Sequence, residues 1–152
     1  MADRQDLAAI AERWNAHPGM HHLGARVTLD PDGTVRALLD DLQDHHRGGL
    51  GTDAVNGAVI AGLFDLVIGL AGYQHTLGRR AGVAQLNVRY LRPVLGQRVE
   101  VVGQADRVGR TLVFASARLL DQTGRVCAMA DGLVAVAGGG GATPPADPEA
   151  VL

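Results

Sequence analysis

Between Ala54 and Tyr73 the chain reads AVNGAVIAGLFDLVIGLAGY, and Asp65 is its only charged residue. Apolar side chains, among them Val59, Ile60, Leu63, Phe64, Leu66, Val67, Ile68 and Leu70, are spread all round the axis at about 100° per residue. This predicts a helix from about Ala54 to His75 with no broad polar face, closed by Gly78-Arg79-Arg80. Earlier, Asp3 to Asn15 predicts an amphipathic helix with Leu7, Ile10, Ala11 and Trp14 on one side, ended by His17-Pro18-Gly19. Leu23, Ala25, Val27 and Leu29 alternate with Arg26 and Thr28, and Pro31-Asp32-Gly33 turns the chain into Val35, Ala37 and Leu39. That pattern predicts a hairpin. Asp40 to Thr52 is a polar loop that holds His45 and His46.

After the long helix the period changes to two. Ala84, Leu86, Val88 and Tyr90 are predicted to face one way and Gln85, Asn87 and Arg89 the other. Val99 to Val108, Arg110 to Leu120 and Arg125 to Val136 predict three further strands, separated by Val108-Gly109-Arg110 and Asp121-Gln122-Thr123-Gly124. A helix apolar on all sides, among strands apolar on one face, predicts an α+β domain with a curved antiparallel sheet wrapped around the helix. Residues 1-137 form that domain, and residues 138-152, rich in glycine and proline, are expected to be a disordered tail.

The carboxylate in the long helix now carries weight. Moving an unpaired charge out of water costs several kcal/mol, so Asp65 needs a partner or a use. A membrane span is disfavoured by Asn56, Asp65, the glycines of the segment and a mean hydropathy of only +0.08. A formal net charge of −2 gives no general attraction to nucleic acid or anionic membrane. All 14 basic residues are arginine, which excludes a Schiff-base lysine. The single cysteine, Cys127, forbids an internal disulfide, and MADRQDLAAIAERW lacks the apolar core of a signal peptide, so a cytoplasmic location is expected. His21-His22 and His45-His46 are adjacent pairs, and no HExxH, P-loop or Gly-x-Gly-x-x-Gly pattern occurs, so no metal site is expected.

The segment Asn56-Gly57-Ala58-Val59-Ile60-Ala61-Gly62-Leu63-Phe64-Asp65 resembles the His-Gly-Gly followed by seven residues to Asp that opens the central helix of hotdog-fold acyl-CoA thioesterases of the phenylacetate-degradation type. Leu86-Asn87-Val88-Arg89-Tyr90-Leu91-Arg92-Pro93 is similar to that family's strand ending in Tyr-x-x-Pro, and the likeness runs over roughly residues 19 to 137. The resemblance implies a hotdog fold, hydrolysis of an acyl-CoA to free acid and CoA, and dimers or tetramers with sites shared between subunits. CoA is then part of the substrate, and no separate cofactor is expected.

Gly57, at the start of the helix, suits an oxyanion site. Free N-H groups and the positive end of the dipole favour negative charge there, and Ala58 N-H can assist. Asn56 reads as a helix cap, or as the replacement of the family's positioning histidine. Asp65 is the expected base or nucleophile. It stands eight positions from Gly57, about 12 Å along a helix, so one chain alone cannot build the site. Two helices antiparallel about a two-fold axis would bring each Asp65 to the other's N-terminus, which predicts at least a homodimer. Tyr90, Arg92, Arg107 and Arg110 are expected substrate contacts, the arginines for CoA phosphates. The chain departs from the family pattern at Leu50 or Gly51, where relatives carry Asn or Gln, and near Val83 and Ala84, where they carry Ser or Thr. A non-catalytic acyl-CoA binder and a hotdog hydratase or dehydratase are the alternatives.

Overall fold

The computed structural model describes residues 4–138, so the expected tail beyond Gly138 lies outside the described residues. Two helices, α1 (Arg4–Asn15) and α2 (Pro18–Leu23), precede the strands β1 (Arg26–Leu29) and β2 (Val35–Leu39). A short 3-10 turn (Asp44–His46) leads into β3 (Arg47–Gly49) and β4 (Ala54–Val55), and then comes the long helix α3 (Gly57–Tyr73). The chain continues as β5 (Ala81–Tyr90), β6 (Val99–Val108), β7 (Leu112–Asp121) and β8 (Val126–Val136). Six strands make one antiparallel sheet in the order β1-β2-β6-β7-β8-β5, while β3 and β4 pair separately.

Helix α3 touches β2, β5, β6, β7 and β8. Those strands span about 19 Å of flat sheet at ~4.8 Å per strand, whereas a helix is only about 10 Å across. The sheet therefore curves around α3. Phe64, Val67, Ile68 and Ala71 are fully enclosed and meet Val35, Val101, Val113, Leu119 and Val134 from the strands. The approach is close enough to exclude side chains at two glycines. A Cβ on Gly72 would stand 2.6 Å from Val134 Cβ, and one on Gly103 would stand 2.6 Å from Val67 Cγ1.

Four local features differ from the sequence expectation, each for an identifiable reason. Pro18 at the first helical turn and Gly24 in the left-handed conformation bound α2, so the strand begins at Arg26 and not at Leu23. Ala54 and Val55 are strand, because Asn56 has extended backbone angles and caps a helix that starts only at Gly57. A bulge in β5 between Val83 and Gln85 shifts the alternation, leaving Ala84 exposed and Val83 on the core side. Within the expected polar loop Arg47–Gly49 is strand, because it pairs with Ala54–Val55 across a tight turn in which Leu50 and Gly51 both have positive φ.

The two edges of the sheet are treated differently. On β1, the Asn15 amide mimics a neighbouring strand: its Nδ2 donates to Val27 O (3.0 Å) and its Oδ1 accepts from Val27 N-H (2.8 Å). On β5, ten residues long, only β8 pairs among the described residues, so its outer edge is open. No helix among the described residues is long and apolar enough to cross a membrane.

The loop before α3 is anchored by a buried imidazole. His46 Nδ1 accepts from Gln43 N-H (2.9 Å), which leaves Nε2 to donate to Leu23 O (2.8 Å) at the end of α2. Burial holds its pKa below the ordinary histidine value, against the opposing pull of the Leu23 carbonyl.

Two predictions follow from these contacts. Gly72→Ala gains about 1 kcal/mol of helix propensity but must push Val134 aside, so a net loss of about 1–3 kcal/mol is expected in urea unfolding. A variant as stable as the parent chain would contradict the close approach. For His46, the unfolded chain takes up the proton first as pH falls. Its contribution is therefore complete above about pH 6.5 and is lost as pH falls from there towards the lowered folded value. Burial lowers His75 as well and adds a share of the same sign. Melting temperature should fall between about pH 7 and pH 5, and His46→Gln should lower it at pH 7 while flattening the slope. An undiminished slope in that variant would count against the assignment.

Candidate active site

Asn56 is fully committed at the start of α3. Its Oδ1 caps Val59 N-H (2.9 Å), its Nδ2 donates to His45 O (3.2 Å) and Arg47 O (3.1 Å), and its backbone N-H donates to His46 O (2.8 Å). The amide thus ties the preceding loop to the helix end and has no spare donor for a substrate. Asn56 is a positioning residue.

The next two N-H groups are different. Those of Gly57 and Ala58 meet no acceptor among the described residues, and both residues are exposed at the positive end of a 17-residue helix. Tyr90 lies beside them: its hydroxyl donates to Gly57 O (3.2 Å), and a Cβ on Gly57 would come within 3.6 Å of that hydroxyl. Gly57, Tyr90 and Arg92 line one cavity of about 600 Å³, whose other walls include Leu50, Val55 and Ile60. Its lining is largely apolar, with the N-H donors at one end, where they could polarise a carbonyl oxygen. The Arg92 guanidinium donates to Val126 O and stays exposed at the rim.

Asp65 lies elsewhere. It is exposed in the single chain, which corrects the expectation of a helix buried all round. The stripe Ala58, Gly62, Asp65, Gly69, Tyr73 runs along one side of α3, and its small residues leave that side open. The Asp65 carboxylate makes no hydrogen bond or ion pair among the described residues, and desolvation by the apolar surroundings raises its pKa above the ordinary aspartate value. Around it lies a second cavity of about 190 Å³, shared with Trp14, Leu66, Gly69, Tyr73 and Val83.

Arg107 and Arg110 are not brought to Gly57. Arg110 O accepts from Arg79 Nη1 (3.1 Å), beyond the C-terminal end of α3, and Arg107 lies two residues before the Gly109 turn, near the end of β6. One chain therefore holds the two groups at separate places: the donors with Tyr90 and Arg92, and the carboxylate with Trp14 and Tyr73. The sequence reading missed Trp14 and Tyr73 as neighbours of Asp65. For Tyr73 a signal existed, since Asp65, Gly69 and Tyr73 follow one another at i, i+4 and i+8. Nothing in the sequence places Trp14 there, because that contact depends on how α1 docks. Among the described residues, no group of three or more His, Cys, Asp or Glu side chains is placed to hold a metal ion.

Comparison with known proteins fits this geometry. No curated protein sequence matches the chain. Among solved structures, a thioesterase-superfamily protein from Shewanella oneidensis is 22% identical, with 88% of this chain and 96% of that one aligned at a TM-score of 0.78. A Bacillus halodurans protein determined with CoA is 22% identical (88% and 84% aligned, TM-score 0.67). The E. coli PaaI protein of the phenylacetic acid degradation operon is 15% identical (88% and 93% aligned, TM-score 0.69). These likenesses identify the fold as the hotdog fold. The sequence family described as Thioesterase superfamily matches residues 53–128, half of the chain, from just before β4 through α3 to the start of β8. The chain belongs to the thioesterase superfamily.

Proposed function

We propose that this protein hydrolyses acyl-CoA thioesters to the free acid and CoA, in a homodimer whose two sites each draw on both subunits. The observation that carries the reading is the pairing of two unpartnered N-H donors at one end of α3 with an unpartnered carboxylate on its open side. The CoA in the Bacillus halodurans neighbour supports the choice of thioester.

Dimerisation is supported by the edge of the sheet. β5 is long and open, and Val83, Leu86 and Val88 are only half-buried against the core. Pairing two such edges about a two-fold axis extends the sheet and sets the open sides of the two α3 helices together, antiparallel. The partner subunit's Asp65 then faces Gly57, and the partner subunit's Arg107 and Arg110 come to the same end, where CoA phosphates need cations. Pairing dimers into a tetramer is compatible with this arrangement.

In the proposed reaction Gly57 and Ala58 N-H groups bind the thioester oxygen as it becomes negative. The partner subunit's Asp65 takes a proton from water as its oxygen attacks the carbonyl carbon, or attacks that carbon itself to form an anhydride that water then opens. The C–S bond breaks and CoA leaves as the thiolate. Tyr90 holds the Gly57 carbonyl and so fixes the first turn of the helix.

A thiol-release assay over a panel of acyl-CoAs tests the activity, with turnover expected for at least one. Binding of acyl-CoA with no thiol release from any of them would instead favour a non-catalytic binder, a reading encouraged by apolar Leu50 at the cavity wall. Asp65→Asn should lower kcat by at least about a hundredfold. Because the folded chain holds the Asp65 proton more tightly, this group's stability is full below its ordinary value of 3.8 and is lost as pH rises through the raised one. At neutral pH the charge is a cost, so Asp65→Asn should melt no lower than the parent protein. Full activity in the variant would remove Asp65 from the mechanism. Light scattering should give a mass of at least about twice 15.8 kDa, and an active monomer would overturn the shared site.

A further inference from the structure

The cavity beside Asp65 is closed at one side by Trp14, which comes from α1, outside the region matched to the superfamily. We infer that Trp14 is the end wall of the acyl pocket and restricts the substrate to a short acyl group, of about six carbons or one ring. This rests on the proposed hydrolysis site, since it places the acyl group beside the carboxylate that acts on its carbonyl.

The walls are chemically uniform. Asp65 is the only charged residue of the lining, and Leu66, Leu70, Val83, Trp14 and Tyr73 supply aliphatic and aromatic surface. The space depends on small residues. A Cβ on Gly69 would already touch Val83 Cγ2 at 3.4 Å, so even a methyl group there shortens the pocket. Its volume, about 190 Å³, decides the acyl class. An apolar cavity of about 150 Å³ accepts a benzene-sized molecule, whereas pockets for drug-sized ligands begin at about 300 Å³. A long fatty acyl chain does not fit unless Trp14 gives way.

Trp14 is poorly able to do so. It packs against the hydrophobic core, and the next residue, Asn15, is clamped to Val27 on β1 by two hydrogen bonds of 3.0 and 2.8 Å. Tyr73, the other aromatic wall, is steadied by a contact from Arg13 Nη2 to its hydroxyl (3.4 Å). The helix that guards one edge of the sheet thereby also sets the depth of the pocket.

Specificity constants for acetyl-, butyryl-, hexanoyl-, octanoyl- and dodecanoyl-CoA test this directly. The parent protein should favour chains up to hexanoyl. Trp14→Ala should raise the preference for dodecanoyl over butyryl about tenfold or more, Trp14→Phe should keep the original order, and Gly69→Ala should move it towards acetyl. A second readout does not require turnover. Trp14 is the chain's only tryptophan, so its emission should change on adding hexanoyl-CoA to the Asp65→Asn variant and not on adding CoA alone. An emission change with no hydrolysis of any thioester would keep the pocket and reject the enzyme. Hydrolysis with the same length profile in folded Trp14→Ala, or with no emission response to any acyl-CoA turned over, would overturn the pocket and keep the enzyme. If Trp14→Ala fails to fold, the Gly69→Ala profile and the emission titration decide.

Discussion

Gly57 and Asp65 ride on one rigid helix, eight residues and about 12 Å apart, and no rearrangement within one chain can bring both to a single carbonyl carbon. The remaining features of the molecule make sense around that constraint. The donors open into a large apolar cavity at one end of α3, while the carboxylate waits, unpartnered, on its exposed side. The proposed second copy would resolve both deficits at once: it would supply the missing group to each site and cover a stripe of α3 that the single chain presents to water at Ala58, Gly62, Leu66 and Gly69.

The helix start is built to keep the donors in place. Asn56 spends every hydrogen-bonding group of its amide on the cap and on the carbonyls of His45 and Arg47. His46, two residues before the β3 glycines, locks the same loop to the end of α2 with a neutral ring. Tyr90 reaches from the end of β5 to the first carbonyl of the helix. Three different elements thus converge on two N-H groups, and that preorganisation is what an oxyanion site requires. The Asp65 side has no such network, which suits a group whose basicity is set by desolvation and not by partners.

Much of this was legible in the residues. The period-two strands and the long helix follow from hydrophobic spacing, and the Asn56-to-Asp65 segment carried the resemblance to the family. What escaped has physical causes. Residues as small as Ala58, Gly62 and Gly69 weigh little in a periodicity argument, so the low, partly exposed side that they form along α3 was not foreseen. The apolar Ala54-Val55 pair ran on into the helix pattern, although Asn56 carried the cap signal. The bulge at Ala84 put Val83 rather than Ala84 on the core side, while Leu86 and Val88 kept the side that alternation assigns them. The separation of Arg107 and Arg110 from Gly57, and the arrival of Trp14 beside Asp65, depend on tertiary placement that no local pattern encodes.

The central claim is that one subunit's Gly57 works with the other's Asp65, and subunit complementation tests it most directly. Gly57→Pro deletes the key N-H at a position where proline is well tolerated, the first residue of a helix, and should cost about a hundredfold or more in kcat. Asp65→Asn removes the carboxylate. Co-expressed, the two inactive chains form a mixed dimer in which one site carries both changes and the other carries neither. The shared-site account predicts that the co-expressed mixture recovers about a quarter of the parent activity, half of the dimers being mixed and half of their sites intact. A mixture as inactive as its components would contradict it.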